Sequence, residues 1–292
     1  ELRLASFPPS RDTAVFRTSG TSTARRGALH LDTLSLYEAS LRSTLRRAFF
    51  ADIDPNERMT LRMLAPSPEE SPDSSLSHML GCLLEDLGDA HSGYDVRGDK
   101  LDPSSVVAAL AACCAAGRPV ALLGTAFAFV HLLTAIDGKH FDLPPGSRIM
   151  ETGGFKGRAR EMPREELHGA LAATFGLSPT VICNQYGMTE LGSQFYDSVL
   201  ADPAGPRRKL IPPWVRVRLL DPESEEPVPP GEPGLIQIHD LANTGSVAAI
   251  RTADLGRAVR GEPDGFEVLG RIEGAEERGC SIAADDMLGR EA

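Results

Sequence analysis

Short apolar runs alternate with longer stretches of helical spacing through the first two-thirds of this chain, and that alternation limits the folds open to it. Val15 to Thr18 reads as an extended run entering a Ser/Thr/Gly loop. Thr60 to Leu64, Pro119 to Leu123, Arg148 to Glu151 and Val181 to Asn184 read as further strands, Pro119 to Leu123 and Val181 to Asn184 as buried runs. Between them lie predicted helices. Asp32 reads as an N-cap before Leu34, Tyr37, Leu41, Leu45 and Phe49. Leu76 to Leu87, Val106 to Ala116 after an Asp102-Pro103 start, Phe127 to Ile136 and Pro163 to Phe175 are the others. Strands separated by helices of this length imply a mostly parallel sheet flanked by helices.

The pattern changes near Asp202, where prolines become frequent and runs such as Val215 to Leu219, Leu235 to Ile238 and Phe266 to Leu269 follow. These read as antiparallel strands, some with one solvated face. The sequence therefore predicts an α/β subdomain over residues 1–201 and a smaller antiparallel β-rich subdomain over 202–292. A chain of 292 residues that is 41% hydrophobic and 24% charged can build such cores. Its net charge of −11 argues against nucleic-acid or anionic-membrane partners, which require clustered positive charge. The apolar runs are too short for a bilayer span of about 20 residues. Five cysteines without a Cys-x-x-Cys pair fit reduced thiols and a cytoplasmic setting. The start shows neither initiator Met nor signal-peptide pattern, as in a fragment of a longer chain.

Four segments carry potential chemistry. Thr18-Ser19-Gly20-Thr21-Ser22-Thr23 follows a strand, and small residues with hydroxyls and consecutive N–H groups suit phosphate oxygens. Glu151-Thr152-Gly153-Gly154-Phe155-Lys156-Gly157 follows another strand, where open α/β sheets bind ligands, and Lys156 is one of four lysines. Asn184-Gln185-Tyr186-Gly187-Met188-Thr189-Glu190 offers a ring for a base, a hydroxyl for a phosphate and a carboxylate for a divalent ion. Arg251 to Gly256 and Leu269 to Glu273 supply Asp254 and Arg271, a carboxylate and a guanidinium able to hold ribose hydroxyls. Each also has a plain structural reading: a loop, a strand-ending turn, a helix start and a salt bridge. No Gly-x-Ser-x-Gly is present for a serine hydrolase, and the scattered histidines oppose metal-only catalysis. His78 and Cys82 read as one helix face.

In this order, the four segments resemble the adenylate-forming superfamily of acyl-CoA synthetases and peptide-synthetase adenylation domains. Gly-Gly-Phe-Lys-Gly, Tyr-Gly-Met-Thr-Glu-Leu-Gly-Ser-Gln and Arg-Gly-Cys-Ser look most like the acyl-protein synthetase of bacterial luminescence operons, a long-chain-fatty-acid–protein ligase. The resemblance spans about Val15 to Ser281. It implies the N-terminal-domain type of that fold without the mobile C-terminal domain, since no Lys follows Arg271. Glu273 stands where the hinge Asp is usual, and the phosphate loop lacks the usual later Gly and Lys.

The resemblance also implies roles. Thr18 to Thr23 would hold the β- and γ-phosphates of ATP; Gly153, Gly154 and Tyr186, followed by Gly187, would flank adenine with Asn184 nearby. Thr189 would contact the α-phosphate, Glu190 would coordinate Mg²⁺, Asp254 would bind ribose and Arg271 would support it. The implied reaction joins a fatty or aryl acid to AMP with release of pyrophosphate, then passes the acyl group to a protein thiol. Transfer to CoA or a carrier protein is the alternative acceptor route, and a catalytically impaired nucleotide-binding protein is the alternative class. Lys156 is a candidate substitute for the missing C-terminal Lys, and Cys280, two residues from Arg278, a candidate acyl acceptor. Phe127, His131 and Phe155 are candidate acyl-pocket residues, whereas Phe129 points elsewhere by helical spacing and reads as core.

Overall fold

The computed structural model describes residues 3–18, 27–98, 100–153, 162–262 and 265–272. By packing, the chain forms two units. Among the described residues, one comprises 17–18 and 52–185; the other comprises 3–16, 27–51 and 186–272. This division follows contacts, whereas the proline-rich shift near Asp202 marks where strand chemistry changes.

The first unit is built on five parallel strands: β1 (Thr60–Leu64), β2 (Gly93–Tyr94), β3 (Val120–Thr125), β4 (Arg148–Thr152) and β5 (Ile182–Tyr186). Their order within the unit is β5-β4-β3-β1-β2. Parallel neighbours require crossovers, and helices Ser75–Leu87, Pro103–Ala116, Ala126–Ala135 and Arg164–Phe175 supply them. Every residue of β3 and β4 is buried, as expected of strands covered on both faces. The helix starts are specified locally. Asp102 Oδ1 accepts from the Ser105 N–H at 3.0 Å ahead of Pro103, and Thr125 Oγ1 accepts from the Ala128 N–H at 3.0 Å. Leu122, Phe129, Ile149, Leu171 and Ile182 meet in the core, so Phe129 is core as its spacing predicted.

The second unit carries an antiparallel sheet of β6 (Lys209–Leu210), β7 (Val215–Leu220), β8 (Pro233–Asp240), β9 (Ala249–Ala258) and β10 (Gly265–Arg271), ordered β6-β10-β9-β8-β7. After its exposed first residue, β8 alternates buried and half-buried positions, the mark of a strand covered on one face. Leu191, Phe195, Ile236, Ile238 and Phe266 form its core. Helix Ser35–Ala48 belongs to this unit and buries Tyr37, Leu41 and Leu45 at the predicted spacing. Its start differs from expectation. Asp32 does not cap it; its Oδ2 receives Arg11 at 2.6 Å, and the Ser35 N–H is met instead by Thr33 Oγ1 at 3.1 Å. The helix begins too late for the Asp32 side chain to serve as its N-cap. No described helix is long and apolar enough to cross a membrane.

Candidate functional site

In the antiparallel unit, the ladder between β9 and β10 sets Asp254 directly opposite Arg271. A register shift follows at Leu255 and Gly256. Gly256 fits closely there, since an added Cβ would lie 2.8 Å from Ile236 Cγ1 and 2.9 Å from the Glu267 carbonyl oxygen. Thr252 steadies the approach. Its Oγ1 donates to the Ile236 carbonyl at 2.9 Å and accepts from the Asp254 N–H at 3.0 Å. The carboxylate that results is doubly engaged: Tyr186 Oη donates to Asp254 Oδ2 at 2.8 Å, and Arg271 Nε lies 3.1 Å from Oδ1.

The Tyr186 ring packs against Phe195 and Phe266, with centroids 6.0 and 6.2 Å away, in a cluster of three rings. Burial pushes its phenol well above the usual range, and the adjacent Asp254 charge adds to the shift. The phenol is therefore a neutral donor at physiological pH. Tyr186, Asp254 and Arg271, distant in sequence, are thus brought together by the fold.

After Tyr186 and Gly187 the backbone turns, with the Leu191 N–H donating to the Met188 carbonyl at 3.1 Å. Asn243 Nδ2 donates to the Glu190 carbonyl at 2.7 Å and pins this turn from the end of β8. Thr189 is buried and Glu190 half-buried. The Glu190 carboxylate has no hydrogen bond or ion pair among the described residues, which suits a site for a hard cation also held by phosphate oxygens. Beneath the turn, Asp240 Oδ1 accepts from Ser193 Oγ at 2.8 Å and from the Ala242 N–H at 2.9 Å, while Trp214 Nε1 donates to Ser193 Oγ at 3.0 Å. Burial raises the Asp240 carboxyl above the ordinary aspartate range.

In the parallel unit, β4 ends in Glu151, Thr152 and then Gly153, whose φ of 93° explains the glycine. Glu151 is paired in register with Asn184 of β5. Its Oε1 accepts from Asn184 Nδ2 at 2.8 Å and lies 3.0 Å from His168 Nε2 and 3.6 Å from Arg164 Nε. All but Arg164 are at least nine-tenths buried. Asn184, read from the resemblance as lying near a base, therefore commits its amide nitrogen to a buried carboxylate. Sequence reasoning quoted Glu151 but gave it no role and did not consider His168 or Arg164. The available signal was a carboxylate directly after the apolar pair Ile149-Met150 in a short strand.

Thr18 is buried, one residue after a backbone bond from the Arg17 N–H to the Asp73 carbonyl at 2.9 Å. Phe127 and His131 lie edge to face, 4.4 Å between centroids, with Phe127 half-buried and His131 exposed. Partial desolvation lowers the His131 pKa. Ser19, Gly20, Thr21, Ser22, Thr23, Gly154, Phe155, Lys156, Glu273 and Cys280 lie outside the described residues.

The fold matches solved ligases along nearly the whole chain. ATP-bound MatB from Rhodopseudomonas palustris aligns with a TM-score of 0.61 at 19% identity, over 89% of this chain and 48% of that one. A 2-hydroxyisobutyryl-CoA ligase in complex with 2-HIB-AMP and CoA aligns with a TM-score of 0.63 at 16% identity, over 92% and 54%. These place the protein in the adenylate-forming fold class, as an N-terminal-domain type. Two long-chain-fatty-acid–luciferin-component ligases are similar in sequence. The one from Aliivibrio fischeri is 29% identical over 67% of this chain and 53% of its own length; the one from Vibrio harveyi is 26% identical over 66% and 51%. The chain spans about half the length of these curated relatives. Residues 88–289 match the family described as acyl-protein synthetase, LuxE, and the chain belongs to that family.

Proposed function

We propose that this chain activates a long-chain fatty acid with ATP and passes the acyl group to a protein thiol. In the first step a carboxylate oxygen attacks the α-phosphorus, the bond to the bridging oxygen breaks, and pyrophosphate leaves with its electron pair. In the second, a thiolate sulfur attacks the acyl carbon and AMP departs, the thiol proton having gone to solvent. The observation that carries this reading is the Tyr186–Asp254–Arg271 cluster. An ionised carboxylate accepts about four hydrogen bonds. Asp254 spends one on Tyr186 and faces Arg271, which leaves capacity for the vicinal hydroxyls of a ribose. The same bond fixes the Tyr186 ring as one face of a base slot.

Thr189 and Glu190 follow on the pinned turn, where a hydroxyl meets the α-phosphate and a carboxylate holds Mg²⁺ beside the phosphates. When bound, that ion neutralises charge on the phosphates. Thr18 to Thr23 serve the β- and γ-phosphates, Gly153 and Gly154 border the base, and Phe127, His131 and Phe155 border the acid. Lys156 neutralises charge at the reacting centre and Cys280 receives the acyl group. The names of the curated relatives support a fatty acid and the family description supports an acyl-accepting protein; no nucleic-acid partner is invoked. Cys82, Cys113, Cys114 and Cys183, none in a disulfide, support a reducing cytoplasmic setting.

The test is ATP–pyrophosphate exchange over a panel of fatty and aryl acids, followed by intact mass. Exchange that requires a long-chain acid, and an acyl mass increment lost in Cys280→Ser, is the expected result. Exchange indifferent to any acid ends the adenylation reading. An increment that persists in Cys280→Ser removes Cys280 alone.

A further inference from the structure

Glu151 is an acidic side chain buried near the carboxyl end of a central strand of the parallel sheet, where an unpaired carboxylate would be very costly. Three donors from two elements converge on it. Asn184 comes from the neighbouring strand, while His168 and Arg164 lie one turn apart on the helix that links the two strands. Asn184 is its register partner, so this bond ties together the two strand ends. Strand β4 then delivers, two residues on, Gly153, a position read above as bordering the base. At 1% and 2% exposure, Glu151 and Asn184 are too deep to act mainly by touching a ligand.

We infer that Glu151 is a positioning residue for nucleotide selection, with Asn184 and His168 as its partners. It sets where the end of β4 presents Gly153. This rests on the adenylation reading and goes beyond it, because it assigns base discrimination to a buried polar cluster. Glu151→Gln keeps an acceptor oxygen that Asn184 and His168 still reach. Glu151→Met matches the volume and removes the acceptor, leaving buried donors unsatisfied.

The experiment compares ATP with ITP in acid-dependent pyrophosphate exchange, alongside calorimetric binding of ATP to the same preparations. In Glu151→Met the KM for ATP rises about tenfold and the preference for ATP over ITP falls by a similar factor, while the KM for the acid is unchanged. Glu151→Gln restores both to within about threefold of the parent. If Glu151→Met does not fold, His168→Leu removes one donor and gives a smaller shift in the same direction, reversed by His168→Gln. An unchanged ATP-to-ITP ratio in folded Glu151→Met or His168→Leu overturns the inference, as does a uniform loss of kcat with both KM values unmoved. If the unsubstituted chain binds no ATP, the adenylation reading falls and takes this inference with it. ATP binding by the parent with no shift in the variants sinks the inference alone.

Discussion

The two sheets of this protein solve the problem of burying backbone in opposite ways. In the parallel unit β3 and β4 are buried at every position, and their polar side chains are bonded: Thr125 to Ala128, Arg148 to Asp52, Glu151 to Asn184 and Thr152 to Gln185. In the antiparallel unit β7 keeps most of its middle only half-buried, and Arg216 is exposed. The difference shows in where polar chemistry is placed. Strand β4 carries its buried polar groups at its two ends, Arg148 at the start and Glu151 and Thr152 at the carboxyl end. The half-covered sheet carries Asp254 and Arg271 on facing strands within the ladder itself. Polar groups are thus placed by strand ends in the parallel unit and by cross-strand register in the antiparallel one.

Side-chain truncation gives the largest test of this contrast. Ile149→Ala, at a fully buried position of β4, should cost about 3–4 kcal/mol in urea unfolding, from lost transfer energy and the cavity left behind. Leu219→Ala, half-buried on β7, should cost about 1 kcal/mol. Equal losses would contradict the two-sided versus one-sided account.

Adding a methyl group sharpens it at intermediate size. Gly124 of β3 has no room: a Cβ there would lie 2.7 Å from Leu64 Cβ and 2.9 Å from the Leu64 carbonyl oxygen. Gly124→Ala should destabilise by about 2 kcal/mol. Gly256→Ala meets similar distances, but it sits at a register shift in the half-covered sheet, where the backbone can give. About 1 kcal/mol is expected. Thermal melts of the two variants should rank in that order.

Tyr186→Phe is the smallest change. The ring packing on Phe195 and Phe266 survives, and Asp254 loses one donor, for about 1 kcal/mol. Because the folded state raises the phenol pKa, the stability linked to its proton is present below the unfolded value of about 10 and is lost as pH rises beyond it. Tyr186→Phe should therefore flatten the alkaline limb of the stability curve. Melting temperatures from pH 7 to about pH 11 check this, and an unchanged alkaline slope would count against a buried, Asp254-held phenol.

Periodicity made most of the helices and the long strands legible, because 3.6-residue and two-residue repeats are local. It was poorer where local signals are weak. The two-residue strand β2 is too short to show a pattern. β9 reads as Ala-Ile-Arg-Thr-Ala-Asp-Leu-Gly-Arg-Ala, with no clean alternation because the strand is irregular in register. Asp32 has the right residue type for a cap but the wrong spacing from a helix that begins at Ser35.

Within the site, the motif order pointed to Tyr186, Asp254 and Arg271 as residues of one function. The hydrogen bond between Tyr186 and Asp254 joins residues 68 apart, and no local pattern encodes it. The same holds for Glu151, whose partners lie 17 and 33 residues along the chain. By itself the sequence determined which segments are strands and helices and which chemical groups stand at the ends of strands, since these follow from side-chain type and spacing. Only the tertiary structure decided which groups share a carboxylate and which are buried. Those depend on strand register and on how the crossover helices pack, and contacts between distant residues leave no periodic trace in a single chain.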